Sequence, residues 1–533
     1  MISSMSTQFK SFFVLPVILL LYLGFALAFL PQQSLWMDEV TQLDGLKLTP
    51  VESSKWLMNG AGGYSFAGVS IDRMPPMSYW LGWVWSKFFG LHERTMRLFG
   101  VFCLLAAILI IFFAGLHTYG LPSAIAAALL LATSPNAINY SVEIRAYPLF
   151  IMLSSGVLYY FAAVLSAASQ RSAAASYGKF ILFAVLAIYT HYFGILMTGS
   201  AIISIILLKK ETQLDWRNIL FGIAVLGTAS LFLIKFIIFA FSASGPGLPH
   251  LLFANIAETI KSILRFLARL VSHSTAVNAP YVIVASMGAA IMLALRLFVG
   301  WKHLGSVAKG IFLTLTTSIS IVIFVRFFVT SFNVTTPTYN SWMLPWIFLL
   351  FGSVFVNTGK IVRYFSAALV VVLLVCNFYS SAKLVQYGRY FAHGVNNQIV
   401  RLIDRYRPGE VSIVYSGGSE DSAHFAIYAP IRYLYGDAVK QYIAGDGNST
   451  IKTIFDNMPS GDMLSLKSKY VFVIVSKPLT SKEIEYYLRR NKLPEGFRHD
   501  AARDFGNSGK WKLMDREQFI SFYAADIDIF ERI

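Results

Sequence analysis

Long apolar runs constrain this chain more than any other feature. The first, from Phe12 to Leu30, is long enough to cross a bilayer, whose hydrocarbon core takes roughly 20 helical residues. Ten more follow, at about 98–117, 121–137, 148–166, 179–190, 193–208, 219–241, 280–299, 307–330, 341–357 and 364–382. Lipid offers the backbone no hydrogen-bond partners, so runs of this length must be helical. Eleven candidate spans predict a multi-span α-helical membrane protein. Of the 533 residues, 56% are hydrophobic and only 14% charged, against roughly 25% charged in soluble domains. The net charge of +16 would suggest nucleic acid in a soluble protein. Here much of the excess lies in short loops and no basic recognition module is present, so nucleic acid is not an expected partner. Cys103 and Cys376 lie inside apolar runs, which predicts neither a disulfide nor a cysteine metal site.

The loop charges predict the orientation. Lys10, Arg171, Lys179, Lys209, Lys210, Arg217, Lys302, Lys309, Lys360 and Arg363 collect on one side, which the positive-inside rule makes cytoplasmic. The Leu116–Gly120 turn falls on that side without a lysine or arginine. The N-terminus is then cytoplasmic, and an odd number of spans puts the C-terminus outside, in the periplasm if the membrane is a bacterial inner membrane. Lys10, the first run and Ala26-Leu27-Ala28 also read as a signal peptide, but the run exceeds the roughly 7–15 residues of a signal core, so an uncleaved span is expected.

Two regions depart from the pattern of spans. The first outer loop, 31–97, is too long for a simple connection. Its stretch Pro75 to Trp85 is rich in Trp and Tyr and too short to span, which predicts a helix lying at the headgroup level. Residues 255–272 predict a second surface helix, with Glu258, Lys261, Arg265 and Arg269 opposite Ile256, Ile260, Ile263, Leu264 and Leu267. Residues 1–383 thus form a membrane domain. Residues 384–533, with shorter apolar runs and more charge, form a small extracytoplasmic α/β domain. Its expected strands are Val411–Tyr415, Tyr470–Val475, Trp511–Met514 and Phe519–Tyr523, and its expected helices Asn397–Arg407 and Ser481–Asn491. Gly417-Gly418 and Gly445-Asp446-Gly447 read as turns, since they form no phosphate-binding pattern.

The polar groups without a topological role collect on the outer side. Asp38 and Glu39 directly follow the first run, and acids at a membrane edge are seldom kept without a partner or a task. Between the third and fourth spans stand Glu143, Arg145 and Tyr147 in Asn139-Tyr140-Ser141-Val142-Glu143-Ile144-Arg145-Ala146-Tyr147-Pro148. Thr190-His191-Tyr192 ends the fifth span, Glu93 and Arg97 precede the second, and Tyr339 precedes the tenth. Several have a purely structural reading too. Glu143 and Arg145 can form an ion pair, Glu93 and Arg97 can brace one helix turn, and His191 can be a satisfied interfacial histidine.

Transfer of a sugar from a lipid phosphate needs a carboxylate to take the acceptor proton, cations or a metal to steady the departing phosphate, and an apolar groove for the lipid tail. The outer polar groups meet that list. A transporter or flippase of a lipid-linked substrate is the alternative, although such proteins place ionisable groups at the midplane and often carry inverted repeats.

The order of the motifs, "SLWMDEV", "RMPPMSYWLGWVWSKFFGLHERTMRLFG", "NYSVEIRAYPLF" and "YTHYFGILM", resembles the GT-C superfamily of integral-membrane glycosyltransferases. The nearest branch is that of the dolichyl-phosphate-mannose protein mannosyltransferases and the bacterial aminoarabinose lipid A transferases. The likeness covers roughly residues 10–210 and returns at "YNSWMLPWIFLLFG". It implies Asp38 and Glu39 as a catalytic acidic pair, and Glu143 with Arg145 and Tyr147 as a further acidic or polar site; Arg97, His191, Tyr192 and Tyr339 are candidate substrate contacts by their place on the outer side. It also implies a polyprenyl-phosphate-sugar donor, inversion at the anomeric carbon, and a lipid, glycan or protein acceptor. Many relatives carry Arg-Tyr where this chain has Ser341-Trp342, so Arg145 or Arg326 would have to serve the phosphate here. Some relatives bind a divalent metal, for which no ligand cluster is readable in this sequence.

Overall fold

The computed structural model describes residues 2–59, 72–242, 256–271, 280–328, 334–356, 359–387, 395–415, 421–444, 456–458, 466–478, 505, 507–520 and 523–533. Its helices are α1 (Ile2–Phe29), α2 (Met37–Lys47), α3 (Pro50–Asn59), α4 (Met77–Phe89), α5 (Glu93–Tyr119), α6 (Leu121–Ala132) and α7 (Pro135–Ser141). Then come α8 (Tyr147–Leu165), α9 (Gln170–Thr190), α10 (Phe193–Leu207), α11 (Trp216–Leu231), α12 (Ile234–Ser242), α13 (Ile256–Val271) and α14 (Pro280–Val299). The last are α15 (Ser306–Phe328), α16 (Met343–Gly352), α17 (Lys360–Tyr387), α18 (Val395–Tyr406) and α19 (Asp421–Tyr435).

Among the described residues each of the eleven apolar runs is mainly helical, but not all are straight spans. Among the described residues seven helices are long and apolar enough to cross a bilayer, α6 and α7 form one path bent by 58°, and α10, α11 and α16 are shorter. The bend has a chemical cause. Pro135 cannot continue α6, and Ser134 begins a new helix by accepting the Ala137 N–H. Carbonyls freed there need partners inside the membrane. Ser381 of α17 donates to the Thr133 carbonyl at 2.8 Å, and Asn377 to that of Leu130 at 3.4 Å. The core lies where α5, α6, α8 and α16 meet, and every residue of α16 is buried. Ser154 joins α8 to α16, donating to the Trp342 carbonyl and accepting from the Trp346 indole.

The interfacial helix expected from Pro75 is α4. It buries Ser78, Tyr79 and Gly82 and exposes Leu81, Val84, Phe88 and Phe89. It crosses α2 closely because both helices carry glycine there. A Cβ on Gly45 would lie 2.3 Å from the Tyr79 ring, and one on Gly82 would lie 2.8 Å from Leu46. The surface helix expected over 255–272 is α13, with a different buried face. Thr259, Ile263, Phe266 and Leu270 pack inward, while Ile260 and Leu264 are exposed beside the charges. The apolar residues of this helix extend round more than one face, so the charge pattern alone marked the wrong stripe.

After α17 the chain forms a six-stranded sheet in the order β3-β2-β1-β4-β6-β5, from β1 (Val411–Tyr415), β2 (Lys440–Ala444), β3 (Asp456–Met458), β4 (Tyr470–Pro478), β5 (Trp511–Ile520) and β6 (Tyr523–Arg532). The first four are parallel, and β6 and β5 add an antiparallel edge. The two short strands expected over 511–523 are one long edge strand, β5, followed by β6. The polar run Asp515 to Gln518 continues the strand past an irregularity between Leu513 and Asp515, and Arg516 pairs with Asp528 across it. The expected helix Ser481–Asn491 and the turns at Gly417 and Gly445 lie outside the described residues.

Candidate functional site

The site is built where α2 begins. Trp36 is extended, and the chain turns into α2 at Met37, so Asp38 and Glu39 occupy the first helical turn, where the exposed backbone N–H groups favour negative charge. Neighbouring residues on a helix point about 100° apart, and here the two acids meet different partners.

Glu39 points inward, and its side chain is 1% exposed. Both of its oxygens are engaged by the Arg97 guanidinium, at 2.7 and 2.9 Å, and one also accepts the Ile144 N–H at 2.8 Å. Arg97, on the first turns of α5, also bonds Glu93 at 2.9 Å and the Val142 carbonyl. The helix brace expected from Glu93 and Arg97 is therefore present, but it is one arm of a larger junction. That junction ties α2, α5 and the loop between α7 and α8 together. Gly100 lets this loop come close, since a Cβ there would lie 2.3 Å from the Ser141 carbonyl. Burial raises the Glu39 pKa, and the Arg97 charge with its hydrogen bonds and the Ile144 N–H oppose that.

Asp38 points the other way. Its side chain is 35% exposed, against 7% for Asp72. Arg145 reaches the Asp38 carboxylate at 3.7 Å and its backbone carbonyl at 3.1 Å, and Asp72 at 3.0 Å. Tyr79 of α4 donates to Asp72 at 2.6 Å. Burial raises the Asp38 pKa, the Arg145 charge opposes it, and Asp72 adds to it. The Glu143–Arg145 ion pair considered from sequence is not formed: Glu143 accepts from Asn139 at 2.8 Å instead. Burial, with the nearby Glu39 charge, pushes its carboxyl up to about 8, against the pull of Arg145 and Arg97.

His191 closes one wall. It is buried against Phe150 (ring centres 5.1 Å apart), Tyr147 (5.9 Å) and Tyr339 (5.5 Å). Its Nδ1 accepts the Phe193 N–H at 3.2 Å, so the ring proton sits on Nε2. Burial and then the Arg145 charge push its pKa down to about 3, which leaves a neutral imidazole at physiological pH. Neither His191 Nε2 nor Arg145 Nε has a hydrogen-bond partner, although both are buried. Tyr192 and Tyr339 stand beside them half-buried.

The structure thus gathers Asp38, Glu39, Arg97, Glu143, Arg145, Tyr147, His191, Tyr192 and Tyr339 at one end of the helix bundle. Sequence reasoning missed Asp72 and its partner Tyr79. A signal existed, since Asp72-Arg73 stands just ahead of the prolines that start α4, an acid beside an interfacial helix with no topological role. Among the described residues no group of three or more His, Cys, Asp or Glu side chains is arranged to hold a metal ion.

Comparison with known proteins agrees with this architecture. Residues 73–239 match the family described as dolichyl-phosphate-mannose-protein mannosyltransferase. No curated protein sequence matches the chain. Among solved structures, ArnT from Cupriavidus metallidurans bound to undecaprenyl phosphate is 13% identical with a TM-score of 0.54, over 97% of this chain and 97% of that one. The apo state of the same ArnT gives 12% identity and a TM-score of 0.52, over 96% and 97%. An apo oligosaccharyltransferase from Archaeoglobus fulgidus gives 12% and 0.48, over 90% and 71%. Residues 73–239 thus match that family, and the chain shares the fold of ArnT along nearly its whole length.

Proposed function

We propose that this protein is an integral-membrane glycosyltransferase of the GT-C type, which moves a sugar from a polyprenyl-phosphate donor to a lipid, glycan or protein acceptor at the outer face of a bacterial inner membrane. In this reading the N-terminus is cytoplasmic and the domain formed by residues 384–533 is periplasmic. Asp38 is the base. The acceptor oxygen bonds to the anomeric carbon as the bond from that carbon to the phosphate oxygen breaks. The electron pair leaves with the polyprenyl phosphate, and the acceptor proton passes to the Asp38 carboxylate. Attack from the face opposite the phosphate inverts the anomeric carbon.

The observation that carries the reading is the division of labour between the two adjacent acids. Every oxygen of Glu39 is committed to Arg97 and Ile144, whereas Asp38 keeps an exposed edge. Glu39 and Arg97 are then positioning residues, and Glu143 supplies a nearby acid held protonated at neutral pH. Beside Asp38 and Asp72, the buried N–H donors Arg145 Nε and His191 Nε2 lack partners among the described residues. Leaving such a donor unsatisfied costs about 1–3 kcal/mol, and a phosphate oxygen would satisfy it. We assign them to the donor phosphate, with Tyr147, Tyr192 and Tyr339 lining the approach. ArnT binds undecaprenyl phosphate, which makes a lipid phosphate a reasonable ligand for the shared fold.

Mass spectrometry of envelope glycolipids and glycans, from cells with and without the protein, tests this reading. The expected difference is one product short by a single sugar. An unchanged product set would overturn the reading, and the same shortfall with lipid-linked sugar stranded on the cytoplasmic side would favour the flippase instead.

A further inference from the structure

Helix α2 is polar, yet it is buried on all sides. Eight consecutive residues, Glu39 to Leu46, are buried, and Thr41, Gln42 and Asp44 are among them. A helix resting on the surface of a membrane body would leave a polar face in solvent. The cover comes from two directions. Helix α4 packs on one side, and α19 of the C-terminal domain packs on the other.

The C-terminal domain also holds both ends of this segment. Asn396, at the start of α18, donates its amide to the Leu35 carbonyl at 2.7 Å. Its neighbour Asn397 donates to the Gln33 carbonyl at 2.6 Å. At the far end, Lys47 pairs with Asp44 at 2.8 Å, and its ammonium lies 4.4 Å from the centre of the Tyr433 ring of α19. Gln33 and Leu35 are buried, so their carbonyls need protein partners. They stand only a few residues ahead of Asp38, in a stretch that pairs with no strand among the described residues.

We infer that the C-terminal domain is part of the active site rather than an appended acceptor-binding module, and that Asn396 and Asn397 are positioning residues that set α2. The inference rests on the reading of Asp38 as the base. The two amides fix where α2 starts, the Lys47–Tyr433 contact fixes where it ends, and the line between them aims Asp38. A displacement of about 1 Å at a reacting group can cost on the order of 100-fold in rate.

The test uses the full-length protein in membranes and the paired substitution Asn396→Asp with Asn397→Asp. Aspartate matches asparagine in size but turns a carboxylate, with no amide donor, toward each carbonyl. Three readouts are taken: protein level, kcat and donor KM for sugar transfer, and the rate of maleimide labelling at a Thr41→Cys reporter. The native Cys103 and Cys376 are buried and give little background. The expected result is a normal protein level, a kcat lower by about 100-fold with donor KM little changed, and labelling of the reporter faster by about 10-fold or more as α2 opens. Asn396→Gln, which keeps the amide donor, should recover much of the loss. Should the pair fail to accumulate, Asn397→Asp alone and Tyr433→Leu are read the same way. Parental kcat, or a fall in kcat with reporter labelling unchanged, overturns the inference. Asp38→Asn is run alongside. Parental transfer in that variant defeats the reading of Asp38 as base, and the reporter labelling then decides on its own whether the C-terminal domain holds α2.

Discussion

Arg97 and Glu39, 58 residues apart in sequence, form a two-pronged ion pair at 2.7 and 2.9 Å, with both side chains 1% exposed. The pair fixes the acidic helix to the first turns of α5. Its buried state makes it costly to break, because the surviving partner keeps a charge that nothing neutralises. Removing one member of such a pair typically costs about 3–5 kcal/mol. Glu39→Gln should therefore lower the thermal unfolding midpoint in detergent sharply. Glu39→Leu with Arg97→Met should recover only part of it, since the Ile144 N–H and the Val142 carbonyl lose partners. A Glu39→Gln protein as stable as the parent would show that the pair is not a fastening.

The Asp38 pKa is raised by burial, and Arg145 is the main group opposing the rise. A base works only when ionised, so transfer should increase with pH through the raised Asp38 pKa. Arg145→Gln removes the opposing charge, and the rise should move to higher pH by about 1–3 units. A profile that stays in place, or moves to lower pH, would remove Arg145 from contact with the base.

His191 is neutral across the working range, because its pKa is pushed down to about 3. Its contribution should therefore be a hydrogen bond and not a charge. A hydrogen bond to a charged group is worth about 1.5–3 kcal/mol, or roughly 10- to 100-fold in affinity. His191→Phe should weaken donor binding by that factor equally at pH 6 and pH 8, and His191→Gln should weaken it less. A loss that grows between these two pH values would point to a charged imidazole.

Glu143 gives a signature in stability. Its carboxyl is pushed up to about 8 in the folded protein, from 4.5 for an ordinary glutamate. Between these values the folded protein keeps a proton that the unfolded chain has lost. Its contribution is full below about pH 4.5 and is lost as pH rises toward about 8. Glu143→Gln removes this dependence. The variant should match the parent near pH 5 and exceed it near pH 8.5, by on the order of 1–3 kcal/mol once screening at the exposed edge is allowed for. Equal stability at both pH values would mean that Glu143 is ionised throughout.

The membrane architecture was legible because apolar run length is a local property, and each of the eleven runs is mainly helical among the described residues. Bends were harder to see, because α6 and α7 part at Ser134-Pro135 inside one continuous apolar run. In the sheet, β1 and β4 announced themselves as buried apolar runs. Strand β2, Lys440–Ala444, and the polar middle of β5 did not, since a short strand and an edge strand are made by their neighbours.

At the site, Asp38 and Glu39 could be read from their place beside the first span. Their different fates could not, because the choice is made by residues distant in sequence. Arg97 takes Glu39, and Arg145 stands by Asp38. Arg97 was half legible, since its spacing from Glu93 suggested a helix brace and hid the longer contact. Asp72 lacked any periodic pattern, and Asn396 and Asn397 lie more than 350 residues from the carbonyls they hold.

The most direct measurement of the central claim is the initial rate of sugar transfer by Asp38→Asn protein in membranes, beside the parent at equal protein level. Loss of the base should lower the rate by about 100- to 10,000-fold, the usual worth of general acid–base catalysis, with thermal stability close to that of the parent because Asp38 is partly solvated. Transfer at the parental rate by a normally folded Asp38→Asn protein would contradict the assignment of Asp38 as the base.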